Sequence, residues 1–218
     1  MELEALAIKI VISAIPILLA ITVHEASHGY AAKYFGDLTA ERMGRISLNP
    51  FKHIDPVGTI LLPALTLFFG GVLFGWAKPV PVNFANLRNP KKDMFWVAAA
   101  GPASNFVMAI LWSLLLGIIK YELSRGVYSP SFPFLLQMCF VGVTINVVLM
   151  VLNLLPMPPL DGGRIAVSLL PNNLAFKLAQ VEKYSFAILI ALMFTGVLNK
   201  IIGPFINFFQ QAILQIFA

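Results

Sequence analysis

Two histidines and a glutamate, His24-Glu25-Ala26-Ser27-His28, close an apolar run that begins at Ala5. On a helix, residues four apart share a face, so both imidazoles would point the same way and could grip one zinc ion. Glu25 would lie beside them, close enough to take a proton from a metal-polarised water. In a soluble chain this pattern suggests an ordinary metallohydrolase. Here the ionisable residues end a membrane-length segment, where they are costly and functional by default. The first expectation is therefore one zinc ion per chain, at work inside a bilayer.

A catalytic zinc needs three protein ligands and an open position, so a third must come from elsewhere. His53 is a lone loop histidine between Lys52 and Asp55, and reads as a surface residue. Asp161 is the better candidate, a carboxylate on glycine-rich backbone (Asp161-Gly162-Gly163) just past the broken end of an apolar stretch. Taken alone, it could equally N-cap a helix starting near Arg164.

The elements that must position these residues are membrane helices. Hydrophobic residues make up 59% of the 218 and charged ones 11%, against roughly 25% charged in soluble domains. Mean hydropathy is +0.84. Apolar stretches cover about 5–35, 57–75, 94–119, 134–157, 184–198 and 201–217. The expected fold is an all-α integral membrane protein with five to six membrane helices in a single domain, 1–218. Its catalytic core would span about 10–170, with C-terminal helices over about 184–217. Short β elements are expected near 40–48, from the Arg45–Leu48 alternation, and near 78–84, where Pro79 and Pro81 favour extended backbone. The first apolar run lacks a basic n-region and a small-residue cleavage site, so it reads as retained rather than as a signal peptide. Cys139 reads as a small packing residue. The excess of basic residues points to membrane orientation and not to nucleic acid.

Topology follows from asking the site to close. His24, His28 and Asp161 follow the exits of two different spans and can share an ion only if those exits face one side. The stretch 57–75, broken by Pro63 and Gly70-Gly71, should then re-enter or lie flat without a net crossing. Lysine and arginine placement agrees: the His/Asp side would carry eleven of them and the 120–133 loop only Lys120 and Arg125. By the positive-inside rule the metal end faces the cytoplasm and the N-terminus lies outside, in a multi-pass protein of the cytoplasmic membrane.

Three motifs together resemble the site-2 protease family of intramembrane zinc metalloproteases. They are His24-Glu25-x-x-His28, Gly101-Pro102-x-x-Asn105, and Asn153-x-x-Pro156-x-x-Pro159-Leu160-Asp161-Gly162-Gly163. The chain looks like the compact prokaryotic branch, without a PDZ or nucleotide-sensing domain. The resemblance implies zinc on His24, His28 and Asp161, with Glu25 as general base. It implies that Asn153 faces the site, able to donate to the substrate carbonyl or its oxyanion, and that Asn105 lies near the catalytic helices. It also implies single-span membrane proteins as substrates, cleaved within or near the bilayer in regulated intramembrane proteolysis. Bland alternatives stand beside these roles: an interhelical hydrogen bond for Asn153 and helix packing for Asn105.

Pro79, Val80, Val82 and Asn83 are candidate substrate contacts, their extended stretch offering an edge on which an unwound peptide could pair. The alternative is a plain connecting loop. Rival functions are a membrane metal transporter or sensor and an inactive adaptor. The clustering of ionisable groups at one end, the absence of a visible repeat, and the presence of both Glu25 and Asp161 speak against them.

Overall fold

The computed structural model describes residues 2–61, 75 and 77–217. Helix α1 runs Glu2–Tyr34, α2 is the single turn Thr39–Arg42, α3 is Pro90–Ser124 and α4 is Phe132–Asn153. Then follow α5 (Asp161–Leu169), α6 (Asn172–Gln180), α7 (Glu182–Phe194) and α8 (Val197–Phe217). Between α2 and α3 lie short 3-10 turns at Pro50–Lys52 and Phe84–Asn86 and a π-helical turn at Pro56–Leu61.

The long helices form because their sequences leave the backbone no better option in an apolar medium. Every N–H and C=O must be satisfied within the segment where water is absent. Proline starts α3 at Pro90, where its missing N–H costs nothing. Apolar side chains such as Val11, Leu111 and Ile118 stand half exposed on the outer surface, as expected of a belt facing lipid. Inside, Ala109 of α3, Val143, Val147 and Met150 of α4, and Ile202 and Ile213 of α8 make one core. Close approach is bought by small residues. A Cβ on Gly142 would lie 2.4 Å from the Trp112 ring, and one on Gly117 would lie 2.1 Å from the Phe217 carbonyl.

Two pairings set the directions. Asn105 of α3 bonds both Ala20 of α1 and Asn146 of α4, while Gly101 meets His28 and Trp112 meets Gly142. Rising numbers in α3 thus match falling numbers in both neighbours. So α1 and α4 are parallel, and both end where α3 begins. This is the arrangement that joining Asp161 to the His pair requires.

Three helices are long and apolar enough to cross a membrane, four if α7 and α8 are taken as one span bent by 80°. Among the described residues this number falls short of the expected five to six spans. Stretches 184–198 and 201–217 do not make two spans. The 13-residue α7 is only ~20 Å long at 1.5 Å per residue, short of the ~30 Å hydrocarbon core. The break falls at Gly196, whose φ of +70° suits glycine. Of the stretch 57–75, residues 62–74 lie outside those described. Its flanks come together, since the Lys78 N–H donates to the His53 carbonyl at 2.9 Å.

The two β elements do not form among the described residues. Within 40–48, residues Ala40–Arg42 belong to α2, and Arg45–Leu48, whose alternation suggested the strand, pair with no neighbouring strand. Residues 78–83 are extended, but their polar groups bind side chains and the His53 carbonyl instead of a neighbouring strand.

Candidate metal centre

His24 and His28, one turn apart on α1, bring their Nε2 atoms to 3.1 Å of each other. Asp161, first residue of α5, places Oδ2 at 3.2 Å from the His24 Nε2 and Oδ1 at 3.3 Å from the His28 Nε2. Reaching that position takes the broken chain after α4. The backbone turns so tightly that Cβ atoms on Gly162 and Gly163 would lie 2.3 Å from the Leu154 carbonyl and 2.1 Å from the Pro158 nitrogen. The double glycine is a requirement of that crossing. Asp161 follows Leu160 at the helix N-cap, so the capping role is not the one it takes.

The outer nitrogens decide the chemistry of the inner ones. His24 Nδ1 lies 2.6 Å from Asn105 Oδ1, and His28 Nδ1 lies 2.8 Å from the Val97 carbonyl. Both partners are acceptors, so each imidazole donates from Nδ1 and keeps a lone pair on Nε2. The amide orientation of Asn105 is set the same way, because its Nδ2 donates to the Ala20 carbonyl and to Asn146 Oδ1. Asn146 in turn donates to the Gly142 carbonyl at 2.8 Å. The chain of bonds from Gly142 through Asn146 and Asn105 to His24 is fully buried and leaves one tautomer.

Two lone pairs and a carboxylate therefore converge with no proton between them, and Asp161 Oδ2 is buried without a hydrogen-bond donor. Such a set is repulsive unless a cation sits within it. The two Nε2 atoms stand 3.1 Å apart, near the ~3.3 Å edge of a tetrahedron built from zinc bonds of about 2.0 Å, and each faces one Asp161 oxygen, Oδ2 at 3.2 Å from His24 and Oδ1 at 3.3 Å from His28. Room for the ion depends on Gly101, where a Cβ would come within 2.4 Å of His28 Nε2. The geometry fits a metal ion held by His24, His28 and Asp161.

The remaining candidates separate. Asn105 does reach the site, as the partner of His24. The Glu25 carboxylate lies outside the ligand set and accepts the Val80 N–H at 2.7 Å. Asn153 spends its amide on the Leu149 carbonyl of its own helix at 3.0 Å. Val80 is buried and Pro79 exposed, while the Asn83 N–H goes to Asp37 Oδ2 at 2.7 Å. His53 is corrected from a surface residue to a buried one, 2% exposed. Its Nε2 reaches the Ser47 carbonyl at 2.8 Å, which folds the loop over the ring.

Asn146 and Asp37 were missed in the sequence. Asn146 was visible as an asparagine inside an apolar span, a signal that deserved weight. Asp37 offered no comparable mark.

The family model described as Peptidase family M50 matches residues 129–196, which include Asn153 and Asp161. The Bacillus subtilis (strain 168) protein named "Putative zinc metalloprotease YwhC" is 37% identical over 204 residues, covering 94% of this chain and 90% of that one. "Putative zinc metalloprotease Rip2" of Mycolicibacterium smegmatis is 35% identical over 186 residues, covering 84% of this chain and 66% of that one. No solved structure matches. With its apolar helices, its converging His24–His28–Asp161 set and these relatives, the chain belongs to peptidase family M50, the site-2 protease family.

Proposed function

We propose that the protein is an intramembrane zinc endopeptidase that cuts peptide bonds within or near the transmembrane segments of single-span membrane proteins. The observation that carries this is the convergence of His24, His28 and Asp161, with their protons turned away, at the membrane-helix end that also presents Glu25. Zinc, when bound there, supplies Lewis acidity that brings the pKa of a water to about 7. Glu25 accepts the water's proton on its carboxylate and returns it to the leaving amine. Asn153 turns its amide from the Leu149 carbonyl to the developing oxyanion. Asn105 and the Val97 carbonyl keep His24 and His28 in the ligating tautomer. A storage site would need no carboxylate between the histidines.

The substrate pairs on the extended segment, over a shorter edge than its length suggests. The Val80 and Asn83 amides are engaged by Glu25 and Asp37, and the Lys78 and Pro79 carbonyls by Arg45. The Val82 N–H takes no partner among the described residues and is the donor assigned to the substrate. Pairing there holds an unwound peptide beside Glu25. The same reading gives one protease domain in the cytoplasmic membrane, N-terminus outside and metal end in the cytoplasm. The lysine and arginine distribution supports that orientation, and the role is regulated intramembrane proteolysis.

The test is cleavage of a reporter transmembrane helix by purified wild-type and Glu25→Gln protein, with zinc measured in both. Zinc in both and cleavage only in the wild type is expected. Equal cleavage, or a wild type without zinc, overturns the reading.

A further inference from the structure

The hydrogen bond on Glu25 does not end at Val80. The peptide group whose N–H donates to Glu25 Oε2 at 2.7 Å has the Pro79 carbonyl as its other end. That carbonyl accepts from Arg45 Nη2 at 3.2 Å, and the same Nη2 reaches the Lys78 carbonyl at 3.0 Å. A guanidinium on a carbonyl polarises the whole peptide unit and strengthens the bond its N–H donates. Arg45, 20 residues beyond Glu25 (45 − 25), thereby acts on the carboxylate without touching it.

The surroundings hold this relay in place. The Lys78 N–H is bound to the His53 carbonyl at 2.9 Å, just before the peptide concerned. Beyond it, the Asn83 N–H is bound to buried Asp37. The Val80 side chain is itself buried, 3.2 Å from where a Cβ on Gly29 would sit, so the segment lies directly on the α1 face that follows His28. The Arg45 guanidinium is the charged group on the Pro79 carbonyl.

We propose that Arg45 is a positioning residue for Glu25. Through the Pro79–Val80 peptide it fixes the carboxylate in one rotamer on the metal side of α1. This rests on the protease reading for its consequence in turnover, but the bond itself can be followed separately. Glu25 on a long, flexible side chain has several rotamers, and a catalytic base needs one. A merely structural arginine would tie the loop without affecting that choice.

The experiment uses zinc-loaded full-length protein in nanodiscs, with 15N-labelled valine to follow the Val80 amide proton. The variants are Arg45→Gln, Arg45→Lys, Glu25→Gln and, as a charge-matched control, Arg42→Gln, exposed at the end of α2. The Val80 proton is expected far downfield in the wild type and in Arg42→Gln. It should move upfield in Glu25→Gln and Arg45→Gln, with Arg45→Lys between. In reporter cleavage, Arg45→Gln should lose roughly tenfold in kcat, the scale of one charge-assisted hydrogen bond. KM and zinc content should stay unchanged, and Arg45→Lys should recover part of the rate.

An unmoved Val80 resonance in Arg45→Gln overturns the proposal. So does a moved resonance with unchanged kcat, a joint loss of zinc and kcat, or an equal defect in Arg42→Gln. If the resonances behave as stated but the wild type cleaves nothing, the relay stands and the protease reading falls. If cleavage depends on Glu25 but not on Arg45, the reverse holds.

Discussion

His24 Nδ1 and Asn105 Oδ1 stand 2.6 Å apart, and the acceptor character of that oxygen is enforced from Asn146 and Gly142 across the helix bundle. A side chain in the middle of α4, together with the Ala20 carbonyl of α1, thus sets which nitrogen of His24 is free to bind metal.

Breaking that chain should weaken the metal site before it unfolds the protein. Asn105→Leu removes the acceptor for His24 Nδ1, and zinc affinity should fall about 10- to 100-fold, the range for an orienting partner. Asn146→Leu leaves Asn105 with its Ala20 bond and should cost several-fold. Chelator competition on the purified variants measures both; equal affinities in all three proteins would remove the orienting role.

Gly101→Ala puts a methyl group 2.4 Å from His28 Nε2 and 2.6 Å from His24 Cε1. Alanine is a better helix former than glycine by about 1 kcal/mol, so α3 should persist while the seat of the ion is filled. Zinc per chain is expected to drop well below one with helicity unchanged, read by metal analysis and circular dichroism.

Val82→Pro deletes the N–H assigned to substrate pairing without touching the Val80–Glu25 bond. Cleavage of the reporter helix should be lost, by at least tenfold, with zinc retained. Val80→Pro is the poorer test, because it also removes the donor to Glu25. Normal turnover by Val82→Pro would show the segment to be a connecting loop.

Asp37 gathers the Thr39 and Asn83 N–H groups, the Thr39 hydroxyl and the Asn86 amide. Its burial opposes ionisation, yet the hydrogen bonds from Thr39, Asn86 and Asn83 outweigh it and hold its carboxyl below the ordinary 3.8. A depressed folded-state value means stabilisation that is complete above about pH 4 and is lost as pH falls further. Asp37→Ala leaves several partly buried donors unpaired and should cost ~2 kcal/mol at neutral pH. The difference from wild type should shrink below pH 4, which thermal unfolding in detergent at a series of pH values would reveal.

What the sequence determined by itself was whatever depends on local geometry. A helix places residues 24 and 28 on one face whatever surrounds them, so the paired histidines and the glutamate beside them were legible at once. Long apolar runs can satisfy their backbones in lipid only as helices, so the class of fold was legible too. Asp161 lay between these cases. Its glycines and prolines marked a break, and requiring it to meet the histidines led to parallel α1 and α4.

Tertiary structure alone decided what depends on which atoms meet across the bundle. The strand expected from Arg45–Leu48 found no partner strand among the described residues. The extended segment found side-chain partners instead of a strand, and His53 was folded inside by the Ser47 carbonyl. Asn146, Arg45 and the Val80 amide act through bonds between residues 33 to 55 positions apart. No periodicity or propensity encodes such a bond, since its energy exists only once packing has brought both ends together.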